Sequence, residues 1–254
     1  MKKFLPLVLL LIGVVVFFGA FLIIKGRKEI TDQEIDDEEE TALLKLPQDK
    51  LPIVSLIPTE DGHYLKLRVE RLTIEEAETL DFELLYEVPG DKPPQGVPGS
   101  GIKIKGEDTF ETDLLLGSES SGYFRFDEGV EKGTIALKFR NNQGKLLVKL
   151  ISEFHLQNQT DKLTSLDGKF TFDLDEGIKK GFFIVINTLG FPNDLSQKPS
   201  IGPYGIYTSG NQKLTGKVKL DTAKIYVWQS SSGWRLQDER TILDSGAGIF
   251  IGSI

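Results

Sequence analysis

From residue 50 onward, apolar and polar residues alternate with a period of two through most of the chain. In His63–Glu70, Leu65, Leu67 and Val69 alternate with Lys66, Arg68 and Glu70. That spacing predicts a strand with one buried and one wet face. The pattern recurs in Leu80–Leu84, Ile102–Lys105, Tyr123–Phe126, Thr134–Phe139, Lys145–Leu156, Lys169–Leu174, Val218–Leu220 and Lys224–Trp228. Turn-forming clusters separate these runs, among them Glu60-Asp61-Gly62, Gly106-Glu107-Asp108, Asn141–Gly144, Ser209-Gly210-Asn211 and Ser230–Gly233. Many short alternating strands with Gly- and Asn-rich turns predict an all-β, antiparallel sandwich. Gly246–Ile254, apolar but short, predicts a last strand inside the fold. Ile74–Thr79 predicts no more than one turn of helix.

Two stretches depart from this rhythm by their prolines and glycines. Val88–Gly101 holds four Pro and four Gly and predicts a long loop that no central strand can occupy. Thr188–Pro203, with Pro192, Pro199 and Pro203, predicts a second one. Such loops either connect strands or form a binding lid. A third stretch, Gln157–Gly168, is polar and lacks alternation, and marks a junction between two sandwich subdomains, 50–158 and 159–254. One large sandwich is the alternative. Gly122–Gly133 and Gly168–Gly181 share Phe-x-Phe-Asp followed by Glu-Gly, which is either a repeated strand–turn–strand unit or a coincidence between hairpins.

The N-terminal pattern is different in kind. Residues 4–24 are 21 consecutive uncharged residues flanked by Lys2 and Lys3 before and by Lys25, Arg27 and Lys28 after. A helix of that length spans roughly the 30 Å hydrocarbon core of a bilayer. A cleaved signal peptide has a shorter apolar run and a small-x-small site, whereas Phe18 stands where a small residue is wanted. Residues 1–28 are therefore expected to be a cytoplasmic tip and a single-pass transmembrane anchor in contact with the lipid bilayer through residues 4–24. Flanking charge is nearly balanced, so the expected orientation is the usual one for a signal anchor: N-terminus inside, C-terminal domain extracytoplasmic, in the plasma membrane. Residues 29–49 follow as an acidic stalk, with eight acids and no base in residues 29–40.

Composition changes this picture mainly by exclusion. The chain of 254 residues has no Cys and two His. That removes disulfide scaffolds, zinc knuckles, iron–sulfur sites and thiol nucleophiles. The net charge of −8 is a sum of unlike parts, since residues 41–254 carry 25 bases against 30 acids, a net −5. An acidic chain with no basic stripe predicts no nucleic-acid partner. No nucleophile elbow, phosphate loop or dinucleotide fingerprint occurs. The sequence therefore predicts no catalytic residues, no metal and no cofactor. His63 shares the parity of Leu65 and Leu67, and His155 lies between Phe154 and Leu156, so each is expected to be a structural or surface residue.

The candidate ligand-binding residues are aromatic: Tyr204, Tyr207, Tyr226, Trp228 and Trp234. Tyr226 and Trp228 share one strand face opposite Ile225 and Val227, and Trp234 follows a Ser-rich turn. Trp228 and Trp234 are thus expected to meet across a hairpin, either as a stabilising pair or as a flat platform for a sugar or peptide. Tyr204–Leu220 followed by Tyr226-x-Trp228 and Trp234, behind an anchor and an acidic stalk, resembles the C-terminal segments of uncharacterised single-pass, membrane-anchored bacterial envelope proteins with a β-rich exported domain. The resemblance covers about 30 residues beyond the layout and implies a location, not a mechanism. The expected function is a non-enzymatic structural or interaction role in adhesion or envelope scaffolding, with an envelope protein or glycan as partner. A carbohydrate- or peptide-binding module is the alternative, and a carboxylate-dependent hydrolase a further one.

Overall fold

A computed structural model of the chain describes residues 46–254 apart from 91–92, 178–179, 193–194, 196 and 238–239. The expected anchor at 4–24 and the acidic run at 29–40 lie outside the described residues. Among the described residues no helix is long and apolar enough to cross a membrane.

The described chain is built from antiparallel strands. The first seven are β1 (Ile53–Pro58), β2 (Tyr64–Glu70), β3 (Thr79–Tyr86), β4 (Gln95–Lys103), β5 (Thr109–Leu115), β6 (Gly117–Ser120) and β7 (Tyr123–Phe126). Then come β8 (Lys132–Arg140), β9 (Leu146–Asn158), β10 (Lys162–Thr164), β11 (Thr171–Leu174), β12 (Phe182–Asn187) and β13 (Ile201–Thr208). The last five are β14 (Leu214–Lys219), β15 (Lys224–Gln229), β16 (Gly233–Leu236), β17 (Thr241–Leu243) and β18 (Gly248–Ser253). One nine-stranded sheet, in the order β16-β15-β18-β13-β12-β9-β8-β3-β4, forms the spine. Three smaller sheets accompany it: β1-β2-β5, β10-β11-β14-β17 and the hairpin β6-β7.

Two hydrophobic cores form against this spine. In the first, Leu65, Leu67 and Val69 of β2 meet Leu84, Leu137, Phe154 and Ile184 of the large sheet. Lys66 and Arg68 between them stay at the surface side of β2, as the alternation requires. In the second, Phe170, Phe172, Leu214 and Leu243 of the four-stranded sheet meet Phe183, Tyr204, Ile206, Val227 and Phe250. Strand β12 serves both cores, sending Ile184 and Ile186 to the first and Phe183 and Val185 to the second. It bonds to β9 on one side and β13 on the other. The cores divide close to residue 158, but the backbone ladder runs through without a break. Leu44–Ile254 is one compact unit, so the two expected subdomains are two cores on one shared sheet.

One expectation about a loop needs correction. The Pro-rich stretch 88–101 is not all loop, because Gln95–Lys103 is the edge strand of the large sheet. Pro98 is tolerated there because an edge strand needs donors on one side only. Ile74–Thr79 forms a single turn between strands, as expected, its Ala77 N–H closing on the Ile74 carbonyl. The two Phe-x-Phe-Asp segments are not equivalent. Phe170 and Phe172 are fully buried in the second core, whereas Phe124 is 50 % exposed on a hairpin outside both cores. The last strand, by contrast, forms as expected: all six residues of β18 are buried, and it pairs with β13 and β15 in the interior of the sheet.

A cleft at the end of the first core and the ladder of rings beside it

The five aromatic candidates do not gather on one surface. Trp228 and Trp234 do pair directly across β15 and β16, and Val227 faces the second core, as the parity predicted. The opposite face of this hairpin is covered, however. Ile53, Phe191 and Ile249 pack against the two tryptophans. Phe191 meets the Trp234 ring edge-on at 6.2 Å, and Trp234 Nε1–H donates to the Pro192 carbonyl at 3.1 Å. The cover is part of the long 188–203 stretch. Arg71 clamps it in place, its guanidinium donating to the carbonyls of Phe191 at 2.6 Å and Leu51 at 3.1 Å. Tyr226 shares the tryptophans' side of β15 and is half-buried.

The two tyrosines of β13 point in opposite directions. Tyr204 is 4 % exposed in the second core, and its hydroxyl donates to Asp167 at 2.6 Å. Burial, with that carboxylate beside it, pushes the Tyr204 hydroxyl pKa upward. Partial burial would raise the Asp167 carboxyl, but donors from Ser165, Tyr204 and the Lys169 backbone outweigh it and hold the group below its ordinary value. Tyr207 packs against the first core, where burial pushes its hydroxyl up to about 12. Neither tyrosine joins the Trp228–Trp234 pair.

The exposed aromatics lie elsewhere, on the β6-β7 hairpin. Tyr123 is 82 % exposed. The two-residue turn Ser121-Gly122 has positive φ at both positions, the geometry that matches a tight hairpin's twist. Alternation along β7 puts Phe124 and Phe126 on one face, with nearly parallel rings 6.2 Å apart. Phe126 then stacks flat on His63, with centroids 3.8 Å apart and planes 3° from parallel, while Tyr64 meets it edge-on. The base of the hairpin is clipped down by Leu116, fully buried, whose N–H donates to the His63 carbonyl at 2.8 Å and whose carbonyl accepts from Asp127 N–H at 2.9 Å. At the same point Gly117 lies so close to β7 that a Cβ there would sit 2.1 Å from the Arg125 carbonyl oxygen.

His63 forms the boundary between this ladder and a cleft of about 720 Å³. The cleft lies where the turn before β2, the β7–β8 connection and the end of β9 converge. Asp61, Asp127, Glu128 and Glu131 supply carboxylates, while Gln157, Asn158, Gln159 and Thr160 supply amides and a hydroxyl. Phe182 and the second histidine, His155, complete the wall. The cleft thus brings together the only two histidines of the chain, which lie 92 positions apart.

Several of these groups are held in fixed orientations. Asp61 accepts from the Thr59 hydroxyl at 2.5 Å and from the His63 backbone N–H at 3.0 Å. These bonds, the Thr59 hydroxyl foremost, hold its carboxyl below the ordinary value. His63 Nδ1 is 3.2 Å from Asp61 Oδ2. His155 Nδ1 is 2.9 Å from the Thr164 carbonyl, which can only accept, so Nδ1 carries a proton. Asp127 accepts from the Tyr86 hydroxyl at 3.1 Å, and Tyr86 is itself buried in the first core. Glu128 and Glu131 are exposed and form no ion pair with Lys or Arg among the described residues. Chemically, the arrangement offers an imidazole oriented by a carboxylate and further exposed carboxylates, while the Gln157 side-chain amide is already bonded to the Thr164 backbone. Among the described residues no group of three or more His, Asp or Glu is placed to hold a metal ion.

Sequence reasoning read His63 and His155 as structural or surface residues. It missed their shared cleft, because Asp61, Asp127 and Gln157 are brought together only by the pairing of β9 with β8 and the docking of the hairpin. One signal was present: Tyr123-Phe124-Arg125-Phe126 has aromatics at both parities in a segment too short to bury two faces. No family model matches the sequence, and comparison with curated proteins finds no relative.

Proposed function

We propose that the protein is a non-enzymatic binding module, carried on the acidic stalk at residues 29–49 and tethered through residues 4–24 to the plasma membrane, with its β-structure on the extracytoplasmic side. The ligand site is the cleft with the ring ladder at its rim. The observation that carries this reading is the exposure of Tyr123 and Phe124 on a hairpin clipped to the mouth of the cleft. Tyr123 and Phe124 leave an exposed aromatic patch on an otherwise solvated ribbon, and such patches mark interaction sites. The membrane tether rests on the length and flanks of the apolar run alone.

A hydrolytic reading draws on one observation, the Asp61–His63 pair, which orients an imidazole at the cleft wall as a general base is oriented. The fragment Leu44–Ile254, which contains both cores, separates the two. Incubated with glycan, peptide and ester substrates, it is expected to leave all of them intact. Turnover abolished by His63→Ala would establish the hydrolase instead. Topology has its own test: protease added to intact cells should degrade the β-structure, and a protected domain would reverse the orientation.

A further inference from the structure

We infer that Arg71 is a latch that holds the strap Thr188–Pro192 shut over the Trp228–Trp234 pair, so that displacing the chain's entry segment, Asp49–Leu51, uncovers the pair. The inference goes beyond the binding reading and stands apart from it. Arg71 directly follows β2. Its guanidinium donates to the Asp49 carbonyl at 2.7 Å, the Leu51 carbonyl at 3.1 Å and the Phe191 carbonyl at 2.6 Å. One planar fork thus ties two segments that lie far apart in sequence, with bonds strengthened by its charge. The strap also meets the same stretch of chain directly, Gly190 N–H donating to the Pro52 carbonyl at 2.9 Å. The approach is so close that a Cβ on Gly190 would lie 2.2 Å from the Leu51 carbonyl oxygen.

Three observations make this a device that opens. The first is how lightly the strap is fastened. Phe191 is its one buried large side chain, and none of the buried residues of either core belongs to Thr188–Pro192. Segments with few buried apolar contacts open locally, at a free energy below that of global unfolding. The second is strain. Arg71 and Leu189 both have φ 63°, and Leu189 is held there by an isolated bridge to Ile53. Side chains other than Gly rarely adopt that conformation, which persists where the surroundings enforce it and clusters at switch regions. Opening relieves it at Leu189. The third is what the strap hides. Trp228 and Trp234 lie on the face of their hairpin turned away from the second core, so uncovering them leaves both cores complete.

The residues before Asp49 carry the acidic run and the apolar run. Load on that side reaches Asp49–Leu51 before it reaches β1. The latch converts displacement there into exposure of two indoles.

The test uses the Leu44–Ile254 fragment. Acrylamide quenching reads the two tryptophans of the chain, and circular dichroism melts report folding. Arg71→Ala should raise the quenching constant at least about twofold while the melt stays cooperative. Arg71→Lys, which keeps the charge and loses the fork, should fall between. Gln48→Ala is the decisive variant. Gln48 Nε2 donates to the Gly202 carbonyl at 3.0 Å and anchors the entry segment to β13. Its removal leaves Arg71 and the strap's own bonds in place. The latch predicts that Gln48→Ala also raises quenching, and that it adds nothing in an Arg71→Ala background, where the strap is already released. Additive effects of the two substitutions overturn the inference, because strap and entry segment are then separate packing features. Unchanged quenching in Arg71→Ala overturns it too, as do indoles that become accessible only with the global melt. Should Arg71→Ala fail to fold, hydrogen exchange in the unsubstituted fragment decides. Exchange of the Gly190 amide well ahead of β12 supports the latch, and exchange together with β12 overturns it.

Discussion

Substitution of Leu67 by Ala tests whether the two cores form one cooperative unit. Leu67 is fully buried at the centre of β2, paired with Leu56 of β1 and Thr112 of β5, and it belongs to the first core alone. The cost combines the lost transfer energy of the deleted atoms with a cavity that close packing keeps open, about 3–4 kcal/mol for a site this enclosed. A chain of this size has a urea m-value of about 2–3 kcal/mol/M, so the unfolding midpoint should fall by about 1–2 M. The probe makes the experiment decisive. The chain has two tryptophans, Trp228 and Trp234, and both lie at the far end of the large sheet, on β15 and β16. If β12 couples the cores through Ile184 and Ile186 on one face and Phe183 and Val185 on the other, tryptophan fluorescence reports the full shift. It then coincides with the transition seen by far-ultraviolet circular dichroism, which averages over all strands. A tryptophan transition that stays in place while the dichroism becomes biphasic would refute the shared-sheet account.

Three other expectations follow from particular contacts. Tyr204→Phe removes a donor to Asp167 and should cost about 1–2 kcal/mol at neutral pH. The depressed carboxyl contributes stability that is complete above the unfolded value near 3.9 and is lost as pH falls through the folded value. The gap between variant and wild type in urea melts should therefore shrink below about pH 4, and a constant gap from pH 7 to pH 3 contradicts the assignment. Gly117→Ala forces a Cβ against the Arg125 carbonyl and should open the β6-β7 hairpin while leaving the cores folded. Its signature is loss of hydrogen-exchange protection in the β6-β7 amides with an almost unchanged melting temperature, and full protection in the variant would count against the docked hairpin. Trp228→Ala removes a ring packed among Ile249, Phe191 and Trp234 and should cost about 2–3 kcal/mol by denaturation while leaving ligand affinity unchanged. Loss of affinity without loss of stability would return the site to that hairpin.

The parts of the fold legible in the sequence share a physical setting. In β2, β3 and β8 one face meets a core and the other meets water, so alternation is written into Leu65-Lys66-Leu67-Arg68 and its equivalents. Strand β12 was hidden because both its faces are buried, which turns Phe182–Ile186 into an unbroken apolar run with no period. Strand β4 was hidden by Pro98 and its glycines, which suit only an edge, and edge position is a property of topology. The Trp228–Trp234 pair was legible because a short turn fixes cross-strand register locally. The cover over it was not, since Phe191 reaches it through contacts across the sheet. The candidate site was the least legible part. His63 and Phe126 are far apart in sequence, and their 3.8 Å stack depends on how the hairpin docks onto the start of β2.

The central functional claim, that the cleft and its ring ladder form the ligand site, is tested most directly by nuclear magnetic resonance. Amide and indole signals of the Leu44–Ile254 fragment would be followed while chitotetraose and an unlabelled peptide, Gly-Arg-Ser-Gly-Arg-Ser, are added in turn. The account predicts shifts confined to Asp61–Tyr64, Tyr123–Glu131 and Gln157–Thr160, with both tryptophan indole N–H signals unmoved. Shifts at the Trp228 and Trp234 indoles, with the cleft residues unchanged, would contradict it.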